Sequence, residues 1–265
     1  MSQEKYVSKI LNRFNMQDCK PRETPCELKL DFTENAKKMN NPRMYREAVG
    51  SLIYLSTCTR PDLSFVVSKL SQHFAEPTEA HWNTVKHVFR YLKGTEKQGL
   101  YFKRKTGKLG LIVYSDADWA SDTTDRRSTS GYCISLSKNS GLIAWKTRKQ
   151  PTVALSTCEA EYVSLASAIQ ESIYLEQLLT GIDSYEYTST IVYEDNQGTI
   201  ALARNPVNRQ RCKHIDIKYH FTRETVNSGR VNLEYCPSEK MVADIMTKPA
   251  TKLKLSMFTE DMFVT

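Results

Sequence analysis

Four acidic side chains stand at the edges of expected strands and helices between residues 116 and 244. They are Asp116 in Tyr114-Ser115-Asp116-Ala117-Asp118-Trp119, Glu161 in Ser156-Thr157-Cys158-Glu159-Ala160-Glu161-Tyr162, Asp195 in Tyr193-Glu194-Asp195-Asn196, and Asp244 in Val242-Ala243-Asp244-Ile245-Met246-Thr247-Lys248-Pro249. Brought together by a fold, four carboxylates repel one another, and cations are what neutralise such a cluster. The pattern points to a divalent-metal site.

Spacing narrows the candidates without settling them. Asp116 and Asp118 are two apart on or just after a strand, so both can face the same side, and spacing does not choose between them. Glu159 and Glu161 are two apart on a helix, which separates them by about 200°. Glu161 precedes Leu165 by four and Ile169 by eight, at the edge of the apolar stripe, and this favours it over Glu159. Asp195 and Asp244 each open a helix, where a carboxylate serves equally as an N-cap or as a ligand.

The elements that must position these groups follow from periodicity. Tyr6, Val7, Ile10, Leu11 and Phe14 share one helix face, and a Pro-containing connector follows to about residue 42. Helical spacing resumes over Tyr45–Thr57, Asp62–Phe74 and Thr78–Leu92, with Arg60-Pro61-Asp62 as break and cap and Gly94 as stop. After Gly107 the period changes to two. Strands are expected from Leu109 into Asp116, over Tyr132–Leu136 and over Leu142–Trp145, the last two antiparallel around Lys138–Gly141. A long helix over Thr157–Leu179, a strand at Ile191–Tyr193, helices at Thr199–Ala203 and Ile215–Val226, a strand at Val231–Tyr235 and a helix near Asp244 complete the order βββαβααβα. That order argues an α/β fold, a mixed sheet flanked by helices, preceded by a small helical module. Beyond about residue 250 no strong signal remains.

Composition excludes several classes. No apolar run approaches the length of a membrane span, and the start Met1-Ser2-Gln3-Glu4-Lys5 has no apolar signal core, so an intracellular soluble protein is expected, cytoplasmic or nuclear. The seven cysteines form no Cys-x-x-Cys pair and the five histidines no paired ligand motif, so neither zinc nor a disulfide framework is expected. The net charge of +7 is uneven: residues 1–105 hold 19 Lys and Arg against 11 Asp and Glu, the remainder 18 against 19. A basic part beside a carboxylate-rich part suits a polyanion grip next to a metal site, and an ordinary solvated surface gives the same balance.

The motifs in their order resemble one family. Tyr114–Ala120, Asp125-Arg126-Arg127-Ser128-Thr129-Ser130-Gly131-Tyr132, Glu159-Ala160-Glu161-Tyr162, Glu194-Asp195-Asn196-Gln197, Lys213-His214-Ile215-Asp216-Ile217-Lys218-Tyr219-His220-Phe221 and Ala243–Lys248 look like the ribonuclease H region of Copia-type (Ty1/Copia) retrotransposon Pol polyproteins. Upstream, Tyr45–Leu55, Thr59-Arg60-Pro61-Asp62-Leu63 and Arg90-Tyr91-Leu92-Lys93-Gly94-Thr95 resemble the connection between reverse transcriptase and ribonuclease H in the same elements. The resemblance reaches about Pro249. It implies a connection segment over residues 1–105, a ribonuclease H-like domain with a five-stranded sheet over 106–250, and a tail over 251–265.

What the resemblance implies is concrete. It assigns the metal-binding carboxylates to Asp116, Glu161, Asp195 and Asp244, holding two Mg2+ ions, with Mn2+ as substitute, for hydrolysis of the RNA strand of an RNA–DNA hybrid. Hybrid contacts fall to Arg126, Arg127, Ser128, Thr129, Lys146, Arg148, Lys149 and Lys213, read by shape and phosphate. The remaining reverse transcriptase domains are the implied protein partner. The family's polymerase motif Tyr-x-Asp-Asp does not occur in this sequence, so no polymerase activity is expected of this chain alone. The loop Cys236-Pro237-Ser238-Glu239-Lys240 lacks the histidine that many ribonucleases H carry before the last aspartate, and histidine is left off the catalytic set. A catalytically silent nucleic-acid-binding remnant, and another nucleic-acid transferase on the same fold, are the alternative readings.

Overall fold

A computed structural model of the chain describes residues 1–32, 37–102, 110–138, 140–182, 188–205 and 216–262. It contains two compact units, Met1–Phe102 with Lys248–Thr265, and Lys103–Thr247.

The first unit is helical: α1 (Glu4–Arg13), α2 (Pro42–Cys58), α3 (Ser64–Ser71) and α4 (Glu79–Gly94). Proline opens α2, where its missing N–H costs nothing, and the Asn41 side chain accepts from Met44 N–H at 3.2 Å. Thr78 caps α4 in a reciprocal box with His81, whose Nδ1 accepts the Thr78 N–H at 2.9 Å. Pro61–Leu63 is a single 3-10 turn between α2 and α3, which supplies the expected break. Asp62 does not cap: its carboxylate is buried and takes Arg60 Nε at 3.0 Å, Arg60 Nη2 at 2.8 Å and the Tyr91 hydroxyl at 2.8 Å. Residues 251–265, expected as a tail, include a further helix described below as α9. Its buried Leu255 and Phe258 are too few to make a readable stripe in sequence.

The second unit is built on one five-stranded sheet. The strands are β1 (Ile112–Asp118), β2 (Thr129–Ser135), β3 (Leu142–Lys149), β4 (Thr190–Glu194) and β5 (Val231–Tyr235), in the order β3-β2-β1-β4-β5. The β1–β2 and β2–β3 pairs are antiparallel, and β4 is parallel to both β1 and β5. Between the strands run α5 (Thr157–Ile182), α6 (Gln197–Arg204) and α7 (Asp216–Asn227), followed after β5 by the one-turn α8 (Asp244–Thr247); α9 (Lys252–Met262) belongs to the first unit. This is the expected ribonuclease H-like mixed sheet flanked by helices.

Alternation decides what each face carries. Val113, Ile134, Val192 and Leu233 pack with Tyr162, Leu165 and Ile169 of α5 in one buried cluster. Tyr114 and Tyr193 stack at 4.9 Å and pack against Cys236, Met241 and Ala243 in another. Pairing carries β1 and β2 beyond their apolar runs, so Asp116 lies inside β1, opposite Gly131. Leu109 lies outside the described residues. Among the described residues no helix is long and apolar enough to cross a membrane.

Candidate metal centre

Each carboxylate is placed by a local device. Asp116 sits on β1, where the Ser164 hydroxyl of α5 donates to its carbonyl at 2.8 Å, while its own Oδ2 accepts from the hydroxyl of Thr247 on α8. Glu161 is in the first turns of α5 and buried. The neighbouring Glu159 instead accepts the Leu155 N–H at 2.8 Å, and Ser156 Oγ accepts the Glu159 N–H at 3.2 Å, so Glu159 closes the helix start. Asp195 follows β4. The cap of α6 is Asn196, which accepts the Thr199 N–H at 3.0 Å, leaving Asp195 to accept from Ser238 Oγ at 2.7 Å.

One oxygen from each of Asp116, Glu161 and Asp195 lies within 4.8 Å of the others. Asp118 is half-buried and outside this group, so nearness to Glu161 and Asp195 favours Asp116, the choice that spacing left open. Asp244 is buried at the start of α8 and is not one of the three. Its helix is nevertheless tied to them. Thr247 bonds both Asp116 and the Asp244 carbonyl, and Thr147 on β3 donates to the Met246 carbonyl at 2.7 Å. Gly131 permits this approach: a Cβ there would lie 2.5 Å from Met246 Cβ and 2.8 Å from Thr247 Cγ2.

Electrostatics mark the group. Burial first, then the charges of Glu194, Asp116 and Asp195, holds the Glu161 carboxyl well above the usual range, and one hydrogen bond from the Ala117 backbone opposes this. Its Oε2 is buried with no hydrogen-bond donor. Among the described residues, the charges named as acting on it are the carboxylates Glu194, Asp116 and Asp195. An all-oxygen set with an unsatisfied buried oxygen and uncompensated repulsion fits a hard divalent cation.

A fifth carboxylate, Glu194, escaped the sequence reading. It is 0% exposed, its Oε1 accepts the Asn196 N–H at 3.2 Å, and its Oε2 has no donor. Burial, then Asp195 and Asp116, pushes it up, against the Asn196 bond. The signal was in the sequence: Glu194 lies two residues after the inward Val192 on a strand.

The basic and hydroxyl candidates separate. Lys146 and Arg148 are exposed on β3, and Arg126 is exposed at a φ of 56°. Lys149 is engaged with Asp122 at 2.6 Å and Asp125 at 3.0 Å, and Arg127 lies 3.5 Å from Asp125. Ser128 and Thr129 turn inward, against the expected hydroxyl contacts: both are buried, and Ser128 Oγ accepts the Ala120 N–H at 3.1 Å, securing the loop after β1. Lys213 and His214 lie outside the described residues, and His220 is exposed on α7.

No family model matches the chain. It is 40% identical over 265 residues to the retrovirus-related Pol polyprotein from transposon RE2 of Arabidopsis thaliana, covering 100% of this chain and 18% of that protein. It is 38% identical over 271 residues to the corresponding polyprotein from transposon TNT 1-94 of Nicotiana tabacum, covering 98% of this chain and 20% of that protein. The chain therefore spans about a fifth of the length of these curated relatives. Among solved structures, an N-terminal RNase H domain from Mycobacterium tuberculosis aligns with 58% of this chain and 98% of its own, at 15% identity and a TM-score of 0.39.

Proposed function

The chain belongs to the Copia-type retrotransposon Pol family, and from that premise we propose that it is a ribonuclease H-type endonuclease cutting the RNA strand of RNA–DNA hybrids. The observation that carries this reading is the meeting of Asp116, Glu161 and Asp195 within 4.8 Å. These three, with Asp244 from α8, would hold two Mg2+ ions, or Mn2+ in their place. When bound, such ions activate the attacking water and stabilise the departing 3′ oxygen.

The residues themselves supply position and field. Thr247 holds the carboxylate of Asp116 and Ser164 its backbone carbonyl, Ser238 holds Asp195, and the capped start of α5 orients Glu161. Arg126, Lys146 and Arg148 are the exposed cations of this unit assigned to phosphate contacts, which position a duplex without reading its sequence. Arg127, Lys149 and Lys213 complete the proposed basic set. The first unit would serve as the connection to the remaining reverse transcriptase domains, with no polymerase activity from this chain alone.

The test is cleavage of a labelled RNA strand within an RNA–DNA hybrid in Mg2+, comparing the parent with Asp195→Asn. Cleavage by the parent that the variant lacks, with duplex RNA untouched, is the expected result. Hybrid binding with no cleavage by the parent would instead indicate a silent nucleic-acid-binding protein.

A further inference from the structure

Close in the chain to Asp116 and Glu161 stand three exposed apolar side chains. Trp119 stands just past the end of β1, three residues after Asp116, and is 44% exposed; Val153 and Leu155, in the segment leading into α5, are 48% and 74% exposed. The indole is held in place, because its N–H donates to the Ala154 carbonyl at 3.0 Å. Ala154 in turn packs with Ala117 and Ala160, the chain neighbours of Asp116 and Glu161. The Ala117 backbone also bonds Glu161. The backbone just after the ring is secured as well: Ala120, at a φ of 51°, donates its N–H to Ser128. The ledge and the carboxylate cluster thus hang from the same few residues. Both are fixed before anything binds.

We propose that Trp119, Val153 and Leu155 form a substrate-binding ledge on which the sugar and base edges of bound nucleic acid rest beside the bond to be cut. This rests on the nuclease reading and adds the surface that seats its substrate. Nucleic acid is the occupant the surroundings select. The ledge is anchored through Ala154 to the chain neighbours of Asp116 and Glu161, and the exposed Arg126 lies in the loop that follows the tryptophan, so an aromatic face and a phosphate-binding charge occur together. A protein seated on the ledge would block the approach to the carboxylates.

The experiment measures hybrid affinity across a salt series in the non-cleaving Asp195→Asn chain. Trp119→Ala is expected to weaken binding roughly 5- to 100-fold with the salt slope unchanged, since an apolar contact to sugar and base edges releases no counterions. Trp119→Phe should retain most of the affinity. Arg126→Ala should instead lower the slope by about one phosphate contact. Leu155→Ser, at a position with little packing to lose, serves as the second variant and should weaken binding in the same salt-independent way. Unchanged affinity in both Trp119→Ala and Leu155→Ser, while the parent cleaves hybrid, overturns the ledge and leaves the nuclease reading standing. A parent that neither binds nor cleaves hybrid overturns both. Loss of a dimer in Leu155→Ser at constant hybrid affinity would assign the ledge to a second copy of the chain, which also overturns the proposal.

Discussion

Glu161 and Glu194 bind protons more tightly in the folded chain than in the unfolded one, burial being the larger cause for both. Above about pH 4.3, the ordinary Glu value, the folded state therefore carries the excess protons, and the stability of the metal-free protein falls as pH rises toward the raised folded values. The expected outcome is a Tm in chelator that declines as pH is raised above about 4.3, with Mg2+ restoring most of the loss. Glu194→Gln, which keeps an acceptor for the Asn196 N–H, should flatten the decline. A chelated parent with no pH dependence over this range would contradict the assignment. At this scale the sequence was partly legible. Helical geometry favoured Glu161 over Glu159, and the structure explains the difference by giving Glu159 to the helix cap. The choice between Asp116 and Asp118 needed the placement of Glu161 and Asp195 beside β1, which no local spacing contains. The inward turn of Ser128 depends likewise on a loop partner, Ala120, eight residues away.

At the level of elements, β2 and α8 meet at a point where only hydrogen fits. Gly131→Ala would place a methyl 3.3 Å from the Met246 carbonyl carbon, in addition to the two side-chain clashes. Backbone yields less readily than a rotamer, so the variant is expected to lose about 1–3 kcal/mol in urea unfolding. It should also lose Mg2+-dependent stabilisation, because α8 carries both Thr247 and Asp244. Full retention of the metal effect would separate α8 from the site. The strands and long helices were legible because their apolar positions repeat. The extension of β2 back to Thr129 and of β3 on to Lys149 was not, since inter-strand hydrogen bonds sustain those ends without apolar side chains. Helix α9 was missed because its apolar residues, broken up by Lys, Ser, Thr, Glu and Asp at six of eleven positions, bury, among the described residues, only Leu255 and Phe258.

On the scale of the whole molecule, each unit carries its own buried polar commitment. In the first, Arg60 is enclosed with Asp62 and also donates to the Thr95 carbonyl at 3.0 Å. Asp62→Ala would leave a buried guanidinium without its counter-charge, and a loss of about 3 kcal/mol is expected in equilibrium unfolding. A cost below about 1 kcal/mol would mean that the other acceptors suffice. In the second unit the commitment is the carboxylate cluster, which divalent cations should stabilise by mass action. The sequence disclosed the basic excess of residues 1–105 and the acid-rich remainder. It did not disclose that Arg60 contributes to that excess from a fully enclosed position, which only the packing of α4 against its turn reveals.

The bond from Thr247 to Asp116 joins residues 131 positions apart, and β1 also pairs in parallel with a strand some eighty residues downstream. Contacts this distant in sequence form late, because the intervening chain must first be ordered. During synthesis the sheet's first hairpins can assemble while the carboxylates still lack the helix that locks Asp116. The carboxylate site is therefore left unfinished in a growing chain until α8 has emerged, and an interrupted product ending before it would keep all five strands of the sheet yet lack Thr247, the clasp on Asp116.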